Sequence, residues 1–589
     1  MNNPSSGPAT RQPDSISAWS LIRPYWVSEE RRAAWGLLIT IIAMDLLLVG
    51  INARLNTWNR DFYNALEDRN VHEFPQLMLV FSALTFAFVA ISVYNRYLRQ
   101  MLGFRWRQWL TTRYLQEWLG GKTFYRIERD RLTDNPDQRI AVDLESFATT
   151  TLTLTLDLLS TLETLVWFST VLWSTGGALA VMMGGTPVRI PGYMLWAAIV
   201  YAIAGSLLTN KVAHPLVSIN YQMQRVEADF RFGLIRVREN AEQIAFYDGM
   251  KAEELAAQDL FGRIRDNWWR VMKYTRRYSF VFNFYGQIAD IFPIVVASPR
   301  YFAGMFSFGT LMQISDAFGT VSESLSWFIN NYDTLAQWRA TVNRLCEFRR
   351  VMQLPHLKES VSPATEHSGI NLHYVDESKL TTHKLTLALP NGETLASVRD
   401  IAVKPGSRWL VHGPSGSGKS TFLRALAGLW PFGNGSIDAP VNARMMFVPQ
   451  QSYLPAGTLK TVLTYPAASA SFSDEACREA LRLCRLEGYV ERLHESNSWW
   501  RILSPGEQQW LAAARVLIQK PDYVFLDEAT SALDSENEAH LYYLLTERLP
   551  NRTIVSVTHR QSLGRFHQEI LEIARAREHA VAYTRPPLT

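Results

Sequence analysis

Six apolar segments in the first 330 residues constrain the fold of this chain more than any other feature. They span residues 34–53, 77–94, 152–173, 194–209, 280–297 and 308–329. Each is near the length of about 20 residues that a helix needs to cross a hydrocarbon core about 30 Å thick, and Trp and Tyr lie near the segment ends, as in membrane-spanning helices. After residue 347 no apolar run reaches this length. The pattern predicts a helical six-span membrane domain over residues 34–345, followed by a water-soluble half.

The connections between these segments differ in their content of Lys and Arg. Three such residues lie between spans one and two, one between three and four, and one between five and six. Twelve lie between spans four and five, and ten lie between spans two and three: Arg96, Arg99, Arg105, Arg107, Arg113, Lys122, Arg126, Arg129, Arg131 and Arg139. Since short cytosolic loops carry the basic excess, we expect the second and fourth connections and both termini in the cytoplasm. Residues 1–33 are then a polar cytosolic segment without a cleavable secretory signal.

Charge and cysteine content exclude several classes of protein. A net charge of +4 over 589 residues argues against a general nucleic-acid binder. Three cysteines without paired spacing predict neither a disulfide framework nor a zinc site. We expect a linker at residues 346–380 and a second domain at 381–589.

The second half contains a glycine-rich turn between an apolar strand and a helix, in "SRWLVHGPSGSGKSTFLRALAGLW". It fits the pattern G-x-x-x-x-G-K-[ST], in which backbone N–H groups surround phosphates, the lysine reaches the β- and γ-phosphates and the hydroxyl coordinates Mg²⁺. The predicted phosphate-binding residues are Gly413, Pro414, Ser415, Gly416, Ser417, Gly418, Lys419, Ser420 and Thr421.

Two further strands end in polar residues suited to phosphate chemistry. In "PDYVFLDEATSALD" the strand leads into Asp527, placed for a Mg²⁺-bound water, and Glu528, placed to orient and deprotonate an attacking water. In "RTIVSVTHR" the strand ends at His559, which is placed to contact a γ-phosphate. Without the phosphate loop these groups would be two solvated acids and an ordinary surface histidine.

The stretch "RILSPGEQQWLAAAR" predicts a helix with a Ser504-x-x-Glu507 capping box and Pro505 at its first position. Its N–H groups offer an anion site with Ser504 and Gly506 at close range. An ordinary capped helix is the alternative, because nothing within this domain places the helix on its own γ-phosphate.

The order of "GPSGSGKST", "FVPQQSYLPAGTL", "LSPGEQQ", "VFLDEATSALD" and "SVTHR" resembles the ATPase domain of ABC transporters, an α/β P-loop fold. The resemblance implies ATP and Mg²⁺ as cofactors, Walker A at 413–421, Gln450 in a Q-loop that contacts nucleotide and metal, a signature at 503–509, a D-loop at 531–534 containing Asp534, and a switch at His559. It also implies two ATPase domains that sandwich two ATP molecules head to tail. The Ser504 helix would then close over ATP held by a second copy of the chain, most simply in a homodimer.

Three positions depart from the usual pattern of that domain. Pro505 lacks one N–H donor, Trp510 stands where a basic residue is common, and Leu389 stands where many ABC domains have an adenine-stacking aromatic residue.

The membrane half is also similar to a known family, through "LNTWNRDFYNALEDRN", "TDNPDQRI", "ENAEQIAFYDG" and "LSWFINNYDTLAQWRATVNRL". That family joins the peroxisomal fatty acyl-CoA transporters, the SbmA/BacA-like peptide uptake proteins, and bacterial relatives assigned to cobalamin, bleomycin and antimicrobial-peptide uptake. The resemblance implies an ABC exporter-like membrane fold and a half-transporter in the bacterial inner membrane.

Acidic residues within the spans bear on the cargo. They are Asp45, Asp157, Glu163, Asp290, Asp316 and Glu323, and Asp316, Thr320, Glu323 and Trp327 follow helical spacing. Since intramembrane charges usually face a bundle interior or water, the acids favour a polar or cationic cargo, peptide-like or cobalamin-like, and the resemblance to bacterial uptake proteins implies that this cargo is taken up. Alternatively, these acids pair with basic groups on neighbouring helices. Transport of acyl-CoA or lipid, a non-transporting ABC ATPase and an ATP-gated channel stay open.

Overall fold

Long helices dominate the first of the two units into which the chain divides, Met1–Leu354 and Pro355–Thr589. The structure, a computed structural model, describes residues 17–183, 186–354, 369–398, 400–558, 560–573 and 584–585. The helices of the first unit are α1 (Ala18–Trp26), α2 (Arg31–Glu67), α3 (Phe74–Leu119), α4 (Thr123–Asp130), α5 (Pro136–Gln138), α6 (Leu144–Gly176), α7 (Tyr193–Glu239), α8 (Ala241–Phe246), α9 (Met250–Phe302), α10 (Phe308–Leu325), α11 (Trp327–Asn330) and α12 (Tyr332–Met352).

Five helical stretches in the described residues are long and apolar enough to cross a membrane: Arg31–Glu67, Phe74–Asp130, Pro136–Gly176, Tyr193–Glu239 and Met250–Phe302. They contain the first five predicted spans. Helices α3, α7 and α9 have 46, 47 and 53 residues, which corresponds to about 70 to 80 Å at 1.5 Å per residue. A hydrocarbon core of about 30 Å covers less than half of that length, so these helices extend well beyond a bilayer.

The sixth predicted span, 308–329, does not form a comparable apolar helix. Helix α10 ends at Leu325 and is too polar to be among the five. It packs against α2, α6, α7 and α9, so neighbouring helices cover much of the surface that lipid would otherwise contact. This packing allows polar residues such as Gln313 and Ser322 to be buried on it.

Helix α10 begins against the end of α2. The Gly309 N–H donates to Asn64 Oδ1 at 2.9 Å and the Phe308 N–H donates to Glu67 Oε2 at 3.2 Å. A Cβ on Gly309 would lie 2.0 Å from the Arg60 carbonyl oxygen, so only glycine allows the two helices to approach this closely.

A β-hairpin that the sequence did not predict connects α6 and α7. Strand β1 (Ala178–Met183) pairs antiparallel with β2 (Thr186–Pro191). The apolar residues of β1 continue the apolar character of the preceding span, so hydropathy alone does not mark where the helix ends.

The second unit contains two larger sheets. Its strands are β3 (Ile370–Val375), β4 (Leu380–Ala388), β5 (Thr394–Val398), β6 (Ala402–Val403), β7 (Arg408–His412), β8 (Gly433–Pro440), β9 (Met445–Val448), β10 (Gly457–Thr458), β11 (Ser496–Asn497), β12 (Tyr523–Asp527), β13 (Thr553–Val557), β14 (Glu569–Glu572) and β15 (Thr584–Arg585). One sheet has the order β15-β14-β7-β13-β12-β9, parallel except for β15. The other has the order β3-β8-β4-β5, with β6 beside β4. Helix α12 extends into the segment 346–380 that we predicted as linker, and β3 lies within that segment.

The helices of the second unit are α13 (Lys419–Leu426), α14 (Leu459–Thr464), α15 (Asp474–Leu483), α16 (Trp499–Ile502), α17 (Pro505–Gln519) and α18 (Ser535–Arg548). One core cluster lies between the two sheets and α13, where Phe447 and Phe525 stack with ring centroids 4.3 Å apart. A second cluster joins α14, α15 and α17 around Trp499 and Trp510. The buried face of α17 therefore fixes the direction in which its N-terminus points.

Candidate functional site

Four parallel strands bring the predicted phosphate-binding segments to one edge of the sheet. Strands β7, β13, β12 and β9 are neighbours in that order. The loop 413–421 follows β7, Thr558 follows β13, Glu528 follows β12 and Gln450 follows β9. Ligands of open α/β sheets bind at the carboxyl ends of the strands, so this edge is the candidate site.

Glycines shape the loop that follows β7. Gly413, Gly416 and Gly418 have φ values of 156°, 74° and 100°, which a side chain would strongly disfavour. A Cβ on Gly413 would also lie 2.1 Å from the Ile573 carbonyl oxygen. The loop leads directly into α13, whose first N–H groups are free to face an anion.

Lys419 lies at the start of α13 and is 5% exposed. Its Nζ donates to the carbonyl oxygens of Gly413 and Pro414, each at 2.9 Å. An ammonium has three donors. The loop carbonyl oxygens accept from Lys419 twice, and the remaining N–H is available to a phosphate oxygen. Burial lowers the pKa of Lys419, whereas the nearby Glu528 and Asp527 carboxylates oppose this shift.

Ser420 and Asp527 form a pair of oxygen groups between α13 and β12. The Ser420 Oγ donates to Asp527 Oδ1 at 2.8 Å. Burial raises the pKa of Asp527, and the Ser420 hydrogen bond partly offsets this. A hydroxyl beside a desolvated carboxylate is a hard-oxygen donor set that fits Mg²⁺, and a divalent cation would favour the ionised carboxylate that burial disfavours.

Glu528 has an unusual backbone conformation for its residue type, with φ of 48°. Its N–H donates to the Val557 carbonyl oxygen at 3.0 Å, and its Oε2 accepts from Gln450 Nε2 at 3.3 Å. A non-glycine residue held in the left-handed region costs about 1–3 kcal/mol and is typical of functional sites. The arrangement presents the carboxylate between the ends of β12 and β9.

The capping box predicted at Ser504 is present. The Ser504 N–H and Oγ both donate to Glu507 Oε2 at 2.8 Å, and Ser504 Oγ accepts from the Glu507 N–H at 3.4 Å. Tyr489 donates its hydroxyl to Glu507 Oε1 at 3.0 Å. Burial alone would raise the pKa of Glu507, but these hydrogen bonds outweigh it and hold the pKa below its usual range.

The N-terminus of α17 is tied to the segment 531–534 of the same chain. Gln509 donates to Ser531 Oγ at 3.3 Å and accepts from the Ala532 N–H at 3.0 Å. Asp534, which we predicted at the nucleotide, caps α18 and accepts from the Asn537 N–H at 2.8 Å. This hydrogen bond holds the pKa of Asp534 below its usual range.

Of the remaining predicted positions, His559 lies outside the described residues. Trp510 is 5% exposed and lies near His540 and the Arg485 guanidinium, so it is a core residue. Pro505 occupies the first turn of α17, where its missing N–H breaks no helical hydrogen bond. Leu389 lies in the turn between β4 and β5 and is partly exposed.

Two of the predicted cavity acids are neutralised within the membrane unit. Asp45 accepts two hydrogen bonds from Arg99 NH2, at 2.9 and 2.8 Å, and one from Asn95 at 3.1 Å. Arg99 NH1 donates to Asp157 at 2.7 Å. The alternative of pairing on neighbouring helices therefore applies to Asp45 and Asp157. Arg99, which we counted as a charge in a cytosolic connection, instead lies within α3 and joins α2 to α6.

The other four intramembrane acids are Glu163, Asp290, Asp316 and Glu323, and they form no ion pair in the part of the chain that the structure describes. Asp316, Glu323 and Asp290 are exposed. The predicted acidic stripe is shorter than the spacing suggested, because Trp327 starts a separate helix after a break at Ser326 and is 8% exposed.

Comparison with known proteins identifies both halves. Residues 21–302 match the family described as ABC transporter transmembrane region 2, and residues 398–531 match the family described as ABC transporter. "Inner membrane ABC transporter ATP-binding protein YddA" of Escherichia coli is 33% identical, over 94% of this chain and 96% of that protein. The chain belongs to the ABCD-type family of ABC half-transporters.

More distant relatives agree with this assignment. "Lysosomal cobalamin transporter ABCD4" of Homo sapiens is 25% identical over 93% of this chain and 92% of that protein. The solved "Structure of a bacterial Atm1-family ABC exporter with ATP bound" has a TM-score of 0.66 at 18% identity and covers 92% of this chain and 94% of that one. It shows that the fold is an exporter-like helical membrane domain followed by an α/β ATPase domain.

The half-transporter is an integral membrane protein whose ABC ATPase domain binds ATP and is coupled to transport. A half-transporter requires a second half, which implies a dimer partner. Sequence reasoning missed Tyr489, the contact of Gln509 with the segment 531–534, and the role of Arg99. The role of Arg99 had one sequence signal: Asn95 and Arg99 are four residues apart and therefore lie on the same face of a helix.

Proposed function

We propose that two copies of this half-transporter form a homodimer that uses ATP to take up a polar or cationic cargo across the bacterial inner membrane. The observation that carries the proposal is the uneven neutralisation of the intramembrane acids. Arg99 compensates Asp45 and Asp157, whereas Asp316 and Glu323 on α10 are exposed and have no basic partner in the described residues. Exposed carboxylates are costly against lipid, so their open side fits water and a positively charged solute.

In the ATPase domain, the backbone of the loop 413–421 and the Lys419 ammonium bind the phosphates. Ser420 and Asp527 hold Mg²⁺, with Gln450 as a further oxygen donor. Mg²⁺, when bound, neutralises the negative charge that develops on the phosphates. Glu528 orients the attacking water and accepts its proton. The sequence predicts His559 as the residue that would contact the γ-phosphate.

Ser504 and Gly506 serve the ATP held by the other copy. The Glu507 carboxylate fixes the Ser504 backbone through the hydrogen bond at 2.8 Å, so the start of α17 is ordered before it meets a phosphate. The contacts of Gln509 with Ser531 and Ala532 couple the position of this helix end to the segment 531–534. ATP binding by two copies then closes both sites together. This closing movement changes the arrangement of the membrane helices.

Mixed dimers test the shared site. A Lys419→Ala chain and a Ser504→Ala chain, co-expressed with different affinity tags and purified through both tags, contain one fully intact site only if each site uses both chains. We expect the mixed dimer to hydrolyse ATP faster than either mutant homodimer. A mixed dimer no faster than the better homodimer would contradict the shared site.

ATP turnover in lipid nanodiscs tests the cargo. The wild-type protein is titrated with a trilysine peptide, cobalamin and a long-chain acyl-CoA, with Glu528→Gln as the control that lacks the base. We expect stimulation by trilysine or cobalamin that is absent in the control. Stimulation by acyl-CoA alone would overturn the polar-cargo proposal and favour lipid transport.

A further inference from the structure

We propose that Asn56, Gln313 and Asp316 form a binding site for one compact cation, either a free monovalent ion or an ammonium group of the cargo. The inference rests on the proposed function, because it names the site that would receive the charge of a cationic cargo. It is carried by a polar cluster between α2 and α10.

The Asn56 side chain fixes the geometry of this cluster. Its Nδ2 donates to the backbone carbonyl oxygen of Gln313 at 3.3 Å and also to Asp316 Oδ2. Both partners are acceptors, so they determine which end of the amide faces them. The Asn56 Oδ1 must point elsewhere, within one amide width of the Asp316 carboxylate.

Two oxygens in this cluster lack a hydrogen-bond donor. Asn56 is 2% exposed and Gln313 is 4% exposed. In the described residues, neither Asn56 Oδ1 nor Gln313 Oε1 has a hydrogen-bond partner. A buried unsatisfied acceptor is costly. Asn56, which contacts Asp316, and Gln313, which lies one helical turn before it, each carry one, so this part of the unit has a surplus of oxygen lone pairs with no donor.

Such a surplus specifies the chemistry of the ligand. Carboxylate and amide oxygens suit a hard cation or a charged N–H donor, and they repel an anion. In the part of the chain that the structure describes, the donor on the Asp316 side chain is a neutral amide, so the negative charge of the carboxylate is not compensated. By contrast, the Asp45 carboxylate is saturated by Arg99 and Asn95, and the same argument does not apply there.

The site is also open to solution or to cargo. Asp316, Gly319 and Glu323 lie along an exposed line of α10, whereas the opposite face, which includes Ala317 and Phe318, is buried. This exposed line contains no large apolar side chain and is unsuited to lipid. A cation can therefore approach Asp316 from this exposed side of α10.

Equilibrium binding to the full-length protein in nanodiscs tests the proposal. Radioactive ²²Na⁺ is the probe, with methylammonium, trilysine and choline chloride as competitors at constant ionic strength. We expect saturable binding of Na⁺ that methylammonium displaces and that the bulky choline ion does not. Stronger displacement by trilysine would assign the site to the cargo, whereas its failure to compete would assign it to a free ion. No saturable binding of Na⁺ and none of labelled trilysine would overturn the proposal.

Two variants and a matched control separate binding from structure. Asp316→Asn should weaken Na⁺ binding by about tenfold or more, because a hydrogen bond or contact to a charged group is lost. Asp68→Asn, the same change at the exposed end of α2, should leave binding unchanged. Gln313→Leu should weaken binding and yet raise the melting temperature of the cation-free protein, because it removes a buried acceptor that lacks a donor.

A merely structural role for Gln313 would give the opposite result, a lower melting temperature with unchanged cation binding. Cation binding also distinguishes this inference from the proposed function. A wild-type protein whose ATP turnover responds to trilysine but which binds neither cation would refute the cation site alone. Cation binding without any response of ATP turnover to cargo would refute the proposed function alone.

Discussion

Replacing Arg99 by Met is expected to destabilise the membrane unit strongly. Arg99 makes two hydrogen bonds to Asp45, at 2.9 and 2.8 Å, and one to Asp157 at 2.7 Å. The Asp45 side chain is 5% exposed and the Asp157 side chain is 43% exposed. Loss of one partner from a buried pair costs about 3–5 kcal/mol, and a half-exposed pair is worth about 0–1 kcal/mol.

The free energy of unfolding, measured by denaturant titration in bicelles, should therefore fall by about 3–5 kcal/mol in Arg99→Met. Asp157→Asn should lower it by no more than about 1 kcal/mol. Replacing Arg99, Asp45 and Asp157 together by Met, Leu and Leu should restore most of the stability, because no uncompensated charge is left.

Arg263→Met is the control, since Arg263 and Asp259 form an exposed i,i+4 pair with side chains 62% and 68% exposed. Its effect should stay within about 0.5 kcal/mol. A loss in Arg99→Met no larger than in this control would refute the account of the triad. A triple variant as unstable as Arg99→Met would refute it as well.

Three further predictions concern the ATPase domain. Asp527→Asn should abolish ATP turnover while raising the melting temperature of the nucleotide-free protein at pH 7, because burial raises the pKa of this carboxyl and so disfavours its charged form. Burial lowers the pKa of His567 to about 4, so between pH 6.5 and pH 4 the unfolded chain binds a proton at this residue that the folded chain does not. Acidification over this range should therefore lower the free energy of unfolding by about 3 kcal/mol. His567→Asn should make the free energy of unfolding less dependent on pH over this range. Trp510→Ala should lower the free energy of unfolding by about 3–5 kcal/mol, measured by denaturant titration, because the ring is 5% exposed; a loss below about 1 kcal/mol would place Trp510 outside the core.

The sequence predicted those parts of the fold best that are marked by long apolar runs. The first five spans lie in helices long and apolar enough to cross a membrane, because long apolar runs leave the backbone no alternative to internal hydrogen bonding. The last predicted span lies in α10, which is less apolar than these five helices, and four other helices pack against it. Packing of this kind is a tertiary property that local hydropathy does not record.

The candidate sites show the same division. The segments after β7, β9 and β12 were expected to converge, because the carboxyl ends of parallel strands share one edge of a sheet. Pairing of the acids with basic groups on neighbouring helices was one of two alternatives, but the identity of Arg99 as the partner of Asp45 was not predicted, because it depends on how α2, α3 and α6 pack. The link from Gln509 to the segment 531–534 depends on the packing of α17 and has no signature in sequence.

ATP-dependent movement of cargo into sealed vesicles tests the central claim most directly. Proteoliposomes that contain the wild-type protein or Glu528→Gln are loaded with ATP and Mg²⁺ inside, and labelled trilysine and labelled cobalamin are added outside. We predict saturable accumulation of one of these cargoes with the wild-type protein and none with Glu528→Gln. Accumulation of neither cargo by a wild-type protein that hydrolyses ATP, or equal accumulation by Glu528→Gln, would contradict the account.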